Sequence, residues 1–189
     1  MLSSTMDSKA STSSPQSFMD DILWFLDSDY EYELIYSPNG HIKGGTKDAL
    51  IEHLTNHKTI DAFFNIVMLT TFRSMFTTAE FMRYLFRRFD ISPPEGLSYE
   101  EYNVWVEKKQ KPIRARVIHI IKSWLTDYWN DCYYEDSLDS FEELKNIVNL
   151  AILEDFSGAH ELKPIVEERI STIEVKLQHS DHNSINSPP

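Results

Sequence analysis

Two short motifs in the first third of the chain contain residue types that could bind a phosphate or a metal ion. Gly40–Lys47 has the glycine spacing of a phosphate-binding loop, but its lysine follows Thr46 instead of preceding it. This inversion takes the lysine out of reach of a phosphate, so we interpret the segment as a hairpin turn leading into a capped helix. His53 and His57 lie four residues apart on one predicted helix, with His41 nearby as a third ligand. A metal-dependent hydrolase using these histidines is one hypothesis, and surface histidines near a helix C-terminus are the alternative.

Nucleophilic catalysis finds little support in the sequence. Cys132 is the single cysteine, and the neighbouring Asp131 disfavours a reactive thiolate. A Gly-x-Ser-x-Gly motif does not occur. We therefore expect no catalytic residue, no cofactor and no metal. A lone cysteine also forms no intrachain disulfide, which suits a reducing compartment.

The charge balance points away from nucleic acid and membrane surfaces. The 189 residues include 18 Lys and Arg against 30 Asp and Glu, a net charge of −12, and such a chain is repelled by phosphate backbones and anionic lipids. The longest charge-free stretch, Ala62–Phe72, is too short to span a bilayer. We expect a cytoplasmic protein without membrane insertion that reaches membranes peripherally, through partners.

Hydrophobic periodicity is helical along most of the chain and predicts an all-α fold. We expect an irregular compact array of six or seven helices, with a small N-terminal hairpin at Glu33–Lys43. Four hydroxyl residues are predicted to cap helices, the last three in capping boxes with a glutamate three residues later: Thr46, Thr77, Ser98 and Ser140. The hydrophobic residues of Ala62–Phe72 occur all round the helix, which predicts the most buried segment.

The remaining predictions concern boundaries. One domain is expected over residues 18–177, between disordered tails at 1–17 and 178–189. Phe18–Leu26 is predicted to form a short docking helix. A long helix is predicted from Pro112 to Trp129, and a last helix after Gly158 with Pro164 in its first turn.

Several segments resemble the N-terminal domain of Ras-family guanine-nucleotide exchange factors, the Ras exchanger motif. Ile42–Thr55 is similar to the Lys-Gly-Gly-Thr start and the Leu-Ile-x-x-Leu-Thr helix of that family. Phe63–Phe76 resembles its apolar helix ending in Thr-Phe-Arg-x-Phe, although two residues here separate Arg73 from Phe76. Arg114–Trp129 resembles the Arg-x-Arg-Val helix, and Tyr99–Trp105 is similar to fungal members.

The resemblance implies an accessory domain that precedes a catalytic exchange domain and stabilises it in small-GTPase signalling. The implied partner is that catalytic domain, in cis or in trans, with a Ras-family GTPase involved indirectly. No catalytic domain follows in this sequence, so exchange chemistry is carried over to no residue. We predict a partner interface at Phe72, Arg73 and Phe76, with ordinary core phenylalanines as the alternative. A stand-alone helical adaptor is the alternative function.

Overall fold

The computed structural model describes residues 23–130 and 138–185. Within these ranges it contains a two-stranded hairpin and seven α-helices, or six if the two that a π-helical turn joins are counted as one. The strands are β1 (Leu34–Tyr36) and β2 (Ile42–Gly45). The helices are α1 (Lys47–Leu54), α2 (Ala62–Thr71), α3 (Thr78–Phe89), α4 (Tyr99–Trp105), α5 (Lys111–Asp127), α6 (Leu138–Leu153) and α7 (Ala159–Ile185). The predicted all-α fold with a small N-terminal hairpin is confirmed.

The hairpin forms because its turn has the required chemistry. The Ser37 backbone N–H donates to the His41 carbonyl at 2.8 Å, and Gly40 adopts a φ of +82°. The strands pair antiparallel, with Leu34 opposite Gly45. A Cβ on Gly45 would stand 3.0 Å from the Glu33 carbonyl oxygen, so glycine permits this close approach. The interpretation of Gly40–Lys47 as a turn leading into a capped helix is confirmed.

Side-chain caps start several of the helices. The Thr46 hydroxyl accepts from the Ala49 backbone N–H at 3.2 Å and caps α1. Complete capping boxes start α3 at Thr77 and α4 at Ser98. The prediction of a third box is wrong, because α6 begins at Leu138 and Ser140 lies inside its first turn. Leu138 packs partly against the core, and its burial favours the earlier start.

Helix α5 lies at the centre of the core. It contacts α3, α6 and α7, and it buries seven side chains: Ile113, Val117, Ile118, Ile120, Ile121, Trp124 and Leu125. Helix α2 buries only three: Phe64, Met68 and Leu69. The prediction that Ala62–Phe72 is the most buried segment is therefore wrong. Apolar residues surround this helix, but the described part of the chain covers one side of it.

Two other helices differ from the sequence prediction. Helices α4 and α5 form one continuous helical segment through the π-helical turn Val106–Gln110, which ends two residues before Pro112. Its wider ring accommodates the approach to a residue without a backbone N–H. In α7, Pro164 is not in the first turn, because the helix begins at Ala159 and the proline is its sixth residue.

Only some of the predicted domain and tail boundaries fall within the described residues. Helix α7 continues to Ile185, whereas the C-terminal tail was predicted to begin at residue 178. The predicted tail 1–17 and Cys132 lie outside the described residues. Most of the predicted docking helix Phe18–Leu26 also lies outside them, and its last residues, Trp24–Leu26, form a 3-10 turn.

Candidate partner-binding surface

Two of the three residues predicted to form the partner interface lie in the core. Phe72 is 0% exposed and Phe76 is 3% exposed. The Phe72 ring stacks on Phe81 with 4.2 Å between centroids, and the Arg73 guanidinium covers it at 4.6 Å from the centroid. A partner cannot contact these two rings in this conformation. Their burial corrects the prediction of an exposed aromatic block at this position, while an interface involving Arg73 stays a prediction.

The exposed apolar surface lies instead on the preceding helix. Phe64 of α2 faces the core, whereas Phe63 is 61% exposed, and Ile66 and Val67 are also exposed. Met75, just after the helix, is exposed as well. We call these four side chains the α2 face: Phe63, Ile66, Val67 and Met75. Large hydrophobic side chains grouped at a surface in this way are typical of a partner-binding site.

A groove separates the α2 face from the hairpin. Its cavity volume is about 230 Å³, and its lining is mainly apolar: Ile42, Phe63, Phe64, Val67, Met68 and Met75. His41, in the loop before β2, contacts Phe63 with 5.3 Å between ring centroids. On the adjoining strand β1, Ile35 and Tyr36 are exposed. The groove and the α2 face together offer a partner an apolar surface with a concave centre.

The polar groups at this groove stabilise the helix. The Asp61 carboxylate caps α2 by accepting the Phe64 backbone N–H at 2.9 Å, and this hydrogen bond holds the pKa of Asp61 below its ordinary value. His53 Nε2 lies 3.4 Å from the other Asp61 oxygen and supports the same carboxylate. These contacts fix the start of α2, and so the orientation of its exposed residues.

The three histidines proposed as metal ligands have separate surroundings. His41 packs on Phe63, His53 contacts Asp61, and His57 Nε2 donates to the Leu26 carbonyl at 2.8 Å. In residues 23–130 and 138–185, no group of three His, Cys, Asp or Glu side chains could hold a metal ion. The geometry gives the hydrolase hypothesis no ligand set.

A polar network that the sequence analysis missed fastens the N-terminal segment, residues 23–30, which we call the strap. The Glu52 carboxylate accepts the backbone N–H groups of Asp29 and Tyr30 at 3.1 and 2.7 Å. Lys109 Nζ donates to the Asp27 carbonyl at 2.6 Å and lies 3.4 Å from the Asp29 carboxylate. The strap is therefore fastened by α1 and by the π-helical turn.

Glu52 also neutralises a buried arginine. Its carboxylate lies 3.3 Å from Arg88, and both side chains are buried. The Arg88 Nε–H donates to the Thr55 hydroxyl at 3.1 Å. A charged residue between Ile51 and Leu54, on an otherwise apolar helix face, is the sequence signal that indicates such a buried pair.

His57 is held neutral beneath the strap. Burial lowers the pKa of His57 to about 4, and the hydrogen bond to the Leu26 carbonyl opposes that shift. Its Nδ1 atom is buried without a hydrogen-bond partner among the described residues. Protonation would place a charge there with no acceptor, so the neutral ring is the form compatible with this packing.

Comparison with known proteins identifies the family. The family model described as the RasGEF N-terminal motif matches residues 41–147. This region runs from the hairpin to the middle of α6 and includes the groove, the α2 face and the helices that support them. The chain belongs to the RasGEF N-terminal motif family. The resemblance drawn from the sequence motifs is thereby confirmed.

Fungal exchange factors are among the relatives. Cell division control protein 25 of Saccharomyces cerevisiae is 48% identical over 147 residues, which cover 78% of this chain and 9% of that protein. Cell division control protein 25 of Candida albicans is 52% identical over 116 residues, covering 61% of this chain and 9% of that protein. Guanine nucleotide exchange factor SDC25 of Saccharomyces cerevisiae is 39% identical over 164 residues, covering 87% of this chain and 12% of that protein.

The chain spans about a tenth of the length of these relatives. Their similarity over most of this chain gives no support to the alternative of an adaptor unrelated to exchange factors. Among the helices in the described part of the chain, none is long and apolar enough to cross a membrane.

Proposed function

We propose that this chain is the non-catalytic accessory domain of a Ras-type exchange factor, which packs on a catalytic exchange domain and stabilises it. The observation that carries the proposal is the α2 face beside the hairpin groove, an exposed apolar surface within the region that the family model matches. Exposed hydrophobic groups of this kind bind a partner when apolar surface is removed from water. The catalytic exchange domain, in cis or in trans, is the partner that we propose for it.

The physical role follows from how exchange is driven. An exchange factor must bind the nucleotide-free GTPase more tightly than the loaded form, because only differential affinity shifts that equilibrium. If the GTPase-binding element of the catalytic domain is competent only part of the time, its apparent affinity falls in proportion to that fraction. A rigid helical domain packed against that element raises the competent fraction. The chain would thus act on the GTPase indirectly, in the cytoplasm, and reach membranes through its partners.

The central experiment measures binding and nucleotide release with the same preparations. The purified chain and a separately expressed catalytic exchange domain are titrated by calorimetry, and release of a fluorescent nucleotide from a Ras-family GTPase is followed with each and with both. We expect the chain alone to leave the release rate unchanged. We expect it to bind the exchange domain and to increase the release rate that this domain produces.

Surface variants locate the contact. Phe63→Asp should weaken binding by about 30-fold or more, the effect of losing an interface hot spot of at least 2 kcal/mol. Leu153→Asp is the matched control, because Leu153 is 83% exposed, lies at the end of α6 and does not line the groove. This control should bind within about threefold of the unmodified chain, since surface changes outside an interface have small effects.

Two results would count against the proposal. Accelerated nucleotide release by the chain alone would mean that it is not merely an accessory domain. Equal loss of binding in Phe63→Asp and Leu153→Asp would show that the α2 face is not the contact surface.

A further inference from the structure

Serine followed by proline occurs four times in the sequence, and the structure distinguishes two of these sites. The dipeptides begin at Ser14, Ser37, Ser92 and Ser187. Ser37 and Ser92 lie in the described ranges. Both precede a proline, and the residue before a proline is biased toward extended backbone. Their surroundings nevertheless differ.

Ser37 is engaged within its own turn. Its hydroxyl lies 2.8 Å from the His41 carbonyl and also contacts the Asn39 side chain. The turn that follows closes through Gly40, which has a φ of +82°. An enzyme that requires an extended substrate segment would have to open the hairpin to reach this hydroxyl.

Unlike Ser37, Ser92 does not lie in a closed turn. It is exposed in the connection between α3 and α4, which has no regular secondary structure at this point. The preceding carbonyl, that of Ile91, accepts from Gln110 Nε2 at 3.3 Å, and the Ile91 side chain packs partly against the core. Pro93 and Pro94 follow and favour an extended polyproline conformation. Gln110 thus anchors the segment on the N-terminal side of Ser92, the two prolines stiffen it on the C-terminal side, and Ser92 itself is exposed.

We propose that Ser92 is a phosphorylation site for a proline-directed protein kinase, and that its phosphate loosens the strap. In the transfer, the Ser92 Oγ atom forms a bond to the γ-phosphorus of ATP while the bond from that phosphorus to the β,γ-bridging oxygen breaks. ADP leaves with the bond's electron pair, and the hydroxyl proton passes to the carboxylate base of the kinase. The co-substrate is ATP, which binds in the active site of the kinase.

The effect on the strap follows from the charges around Ser92. Ser92, Asp27, Asp29 and Lys109 line one cavity with a volume of about 390 Å³. Lys109 is the cation among the described lining residues, and it holds the Asp27 carbonyl and the Asp29 carboxylate. A phosphoserine has a charge of about −1.5 to −2 at neutral pH. It would repel the two aspartates and compete for Lys109, so both effects weaken the attachment of the strap.

The first test maps phosphorylation on the purified full chain. A cyclin-dependent kinase and ATP are added, and the modified positions are identified and timed by mass spectrometry. We expect rapid modification of Ser92 and at least tenfold slower modification in Pro93→Ala, which removes the proline next to the serine. Pro94→Ala is the matched control, because it removes a proline from the same loop and leaves Ser92-Pro93 intact. Phosphate confined to Ser14, Ser37 or Ser187, or equal rates in the two proline variants, would overturn the assignment.

The second test measures hydrogen exchange before and after stoichiometric phosphorylation. The backbone N–H groups of Asp29 and Tyr30 report on the strap, since they donate to Glu52. We expect their exchange to become at least tenfold faster in the phosphorylated chain, with exchange in α5 unchanged. Ser92→Ala treated with kinase serves as the control and should exchange like the unmodified chain. Ser92-phosphorylated chain with unchanged exchange at Asp29 and Tyr30 would overturn the proposed effect on the strap.

Discussion

Replacing Phe72 and Phe63 separately by alanine tests the division between core and surface in the Phe63–Phe76 segment. Phe72 is fully buried, its ring stacks on Phe81, and it makes a T-shaped contact with Trp124 at 5.6 Å between ring centroids. Truncation removes a transfer free energy of about 1.5–3 kcal/mol, and it leaves a cavity and breaks the ring contacts. We therefore expect Phe72→Ala to lower the free energy of unfolding by about 3–5 kcal/mol.

Phe63 should behave differently although it lies on the same segment. It is 61% exposed, so less than half of its side-chain surface is buried and can be lost on truncation. No closed cavity forms, and the expected cost in free energy of unfolding is about 1 kcal/mol or less. In the calorimetric binding assay the ranking of the two variants should reverse. Relative to the stability that each variant loses, Phe63→Ala should cause the larger loss of affinity for the exchange domain.

The assay is urea denaturation, monitored both by circular dichroism and by the fluorescence of the chain's four tryptophans. Trp124 contacts Phe72 directly, so its emission reports on the affected part of the core. Coincident transitions from the two signals would justify a two-state analysis. A cost below about 1 kcal/mol for Phe72→Ala, or equal costs for the two variants, would refute the assignment of buried and exposed positions.

The remaining predictions concern pH, a buried ion pair and a helix end. Because the pKa of His57 is about 4 in the folded chain and near 6.5 when unfolded, the unfolded chain binds the proton first, and stability falls as the pH drops from 6.5 toward 4. After allowance for the partial exposure of His57, the free energy of unfolding should be about 1–2 kcal/mol lower at pH 5, and His57→Gln should not show this decrease in urea melts. Parallel pH profiles of stability for the unmodified chain and the variant would contradict this. Glu52→Ala leaves Arg88 buried without its carboxylate partner and should lower the free energy of unfolding by about 3–5 kcal/mol. Adding Arg88→Met should recover part of this loss, and a double variant no more stable than Glu52→Ala would disprove the coupling. Asp155 has a φ of +57° after α6, so Asp155→Gly should raise the free energy of unfolding by about 0.5–1 kcal/mol, and destabilisation in the same melts would count against strain at that residue.

Local chemistry made much of the fold predictable from sequence. The caps at Thr46, Thr77 and Ser98 depend on residues within three positions of one another, and each is present in the structure. The hairpin likewise follows from its turn residues. Ser140 shows the limit of this approach, because tertiary packing of the preceding Leu138 starts the helix earlier than the local motif suggests.

The candidate surface was harder to predict because it depends on what covers each side of a helix. Helix α2 has hydrophobic residues all round, so its periodicity does not distinguish the side of Phe64 from the side of Phe63. Phe72 and Phe76 belong to a recognisable motif, but a motif does not reveal whether its rings face the core or a partner. The contact between Glu52 and the strap could not be predicted for a related reason, since it joins residues more than 20 positions apart in the sequence.

The π-helical turn between α4 and α5 has a consequence for how the chain length can vary. Trp105 and Ile113 both face inward, yet eight residues of regular α-helix rotate a side chain about 80° beyond two complete turns. The one extra residue held by the wider turn takes up about 100°, which changes the 80° excess into a shortfall of about 20° and returns both side chains to nearly the same side. Deleting an exposed residue there, such as Lys108, would give a spacing of seven residues, about 20° short of two turns. A chain one residue shorter at this point can therefore keep both faces of the long segment in phase as a regular helix, and natural insertions and deletions should be tolerated here more readily than elsewhere in the helical core.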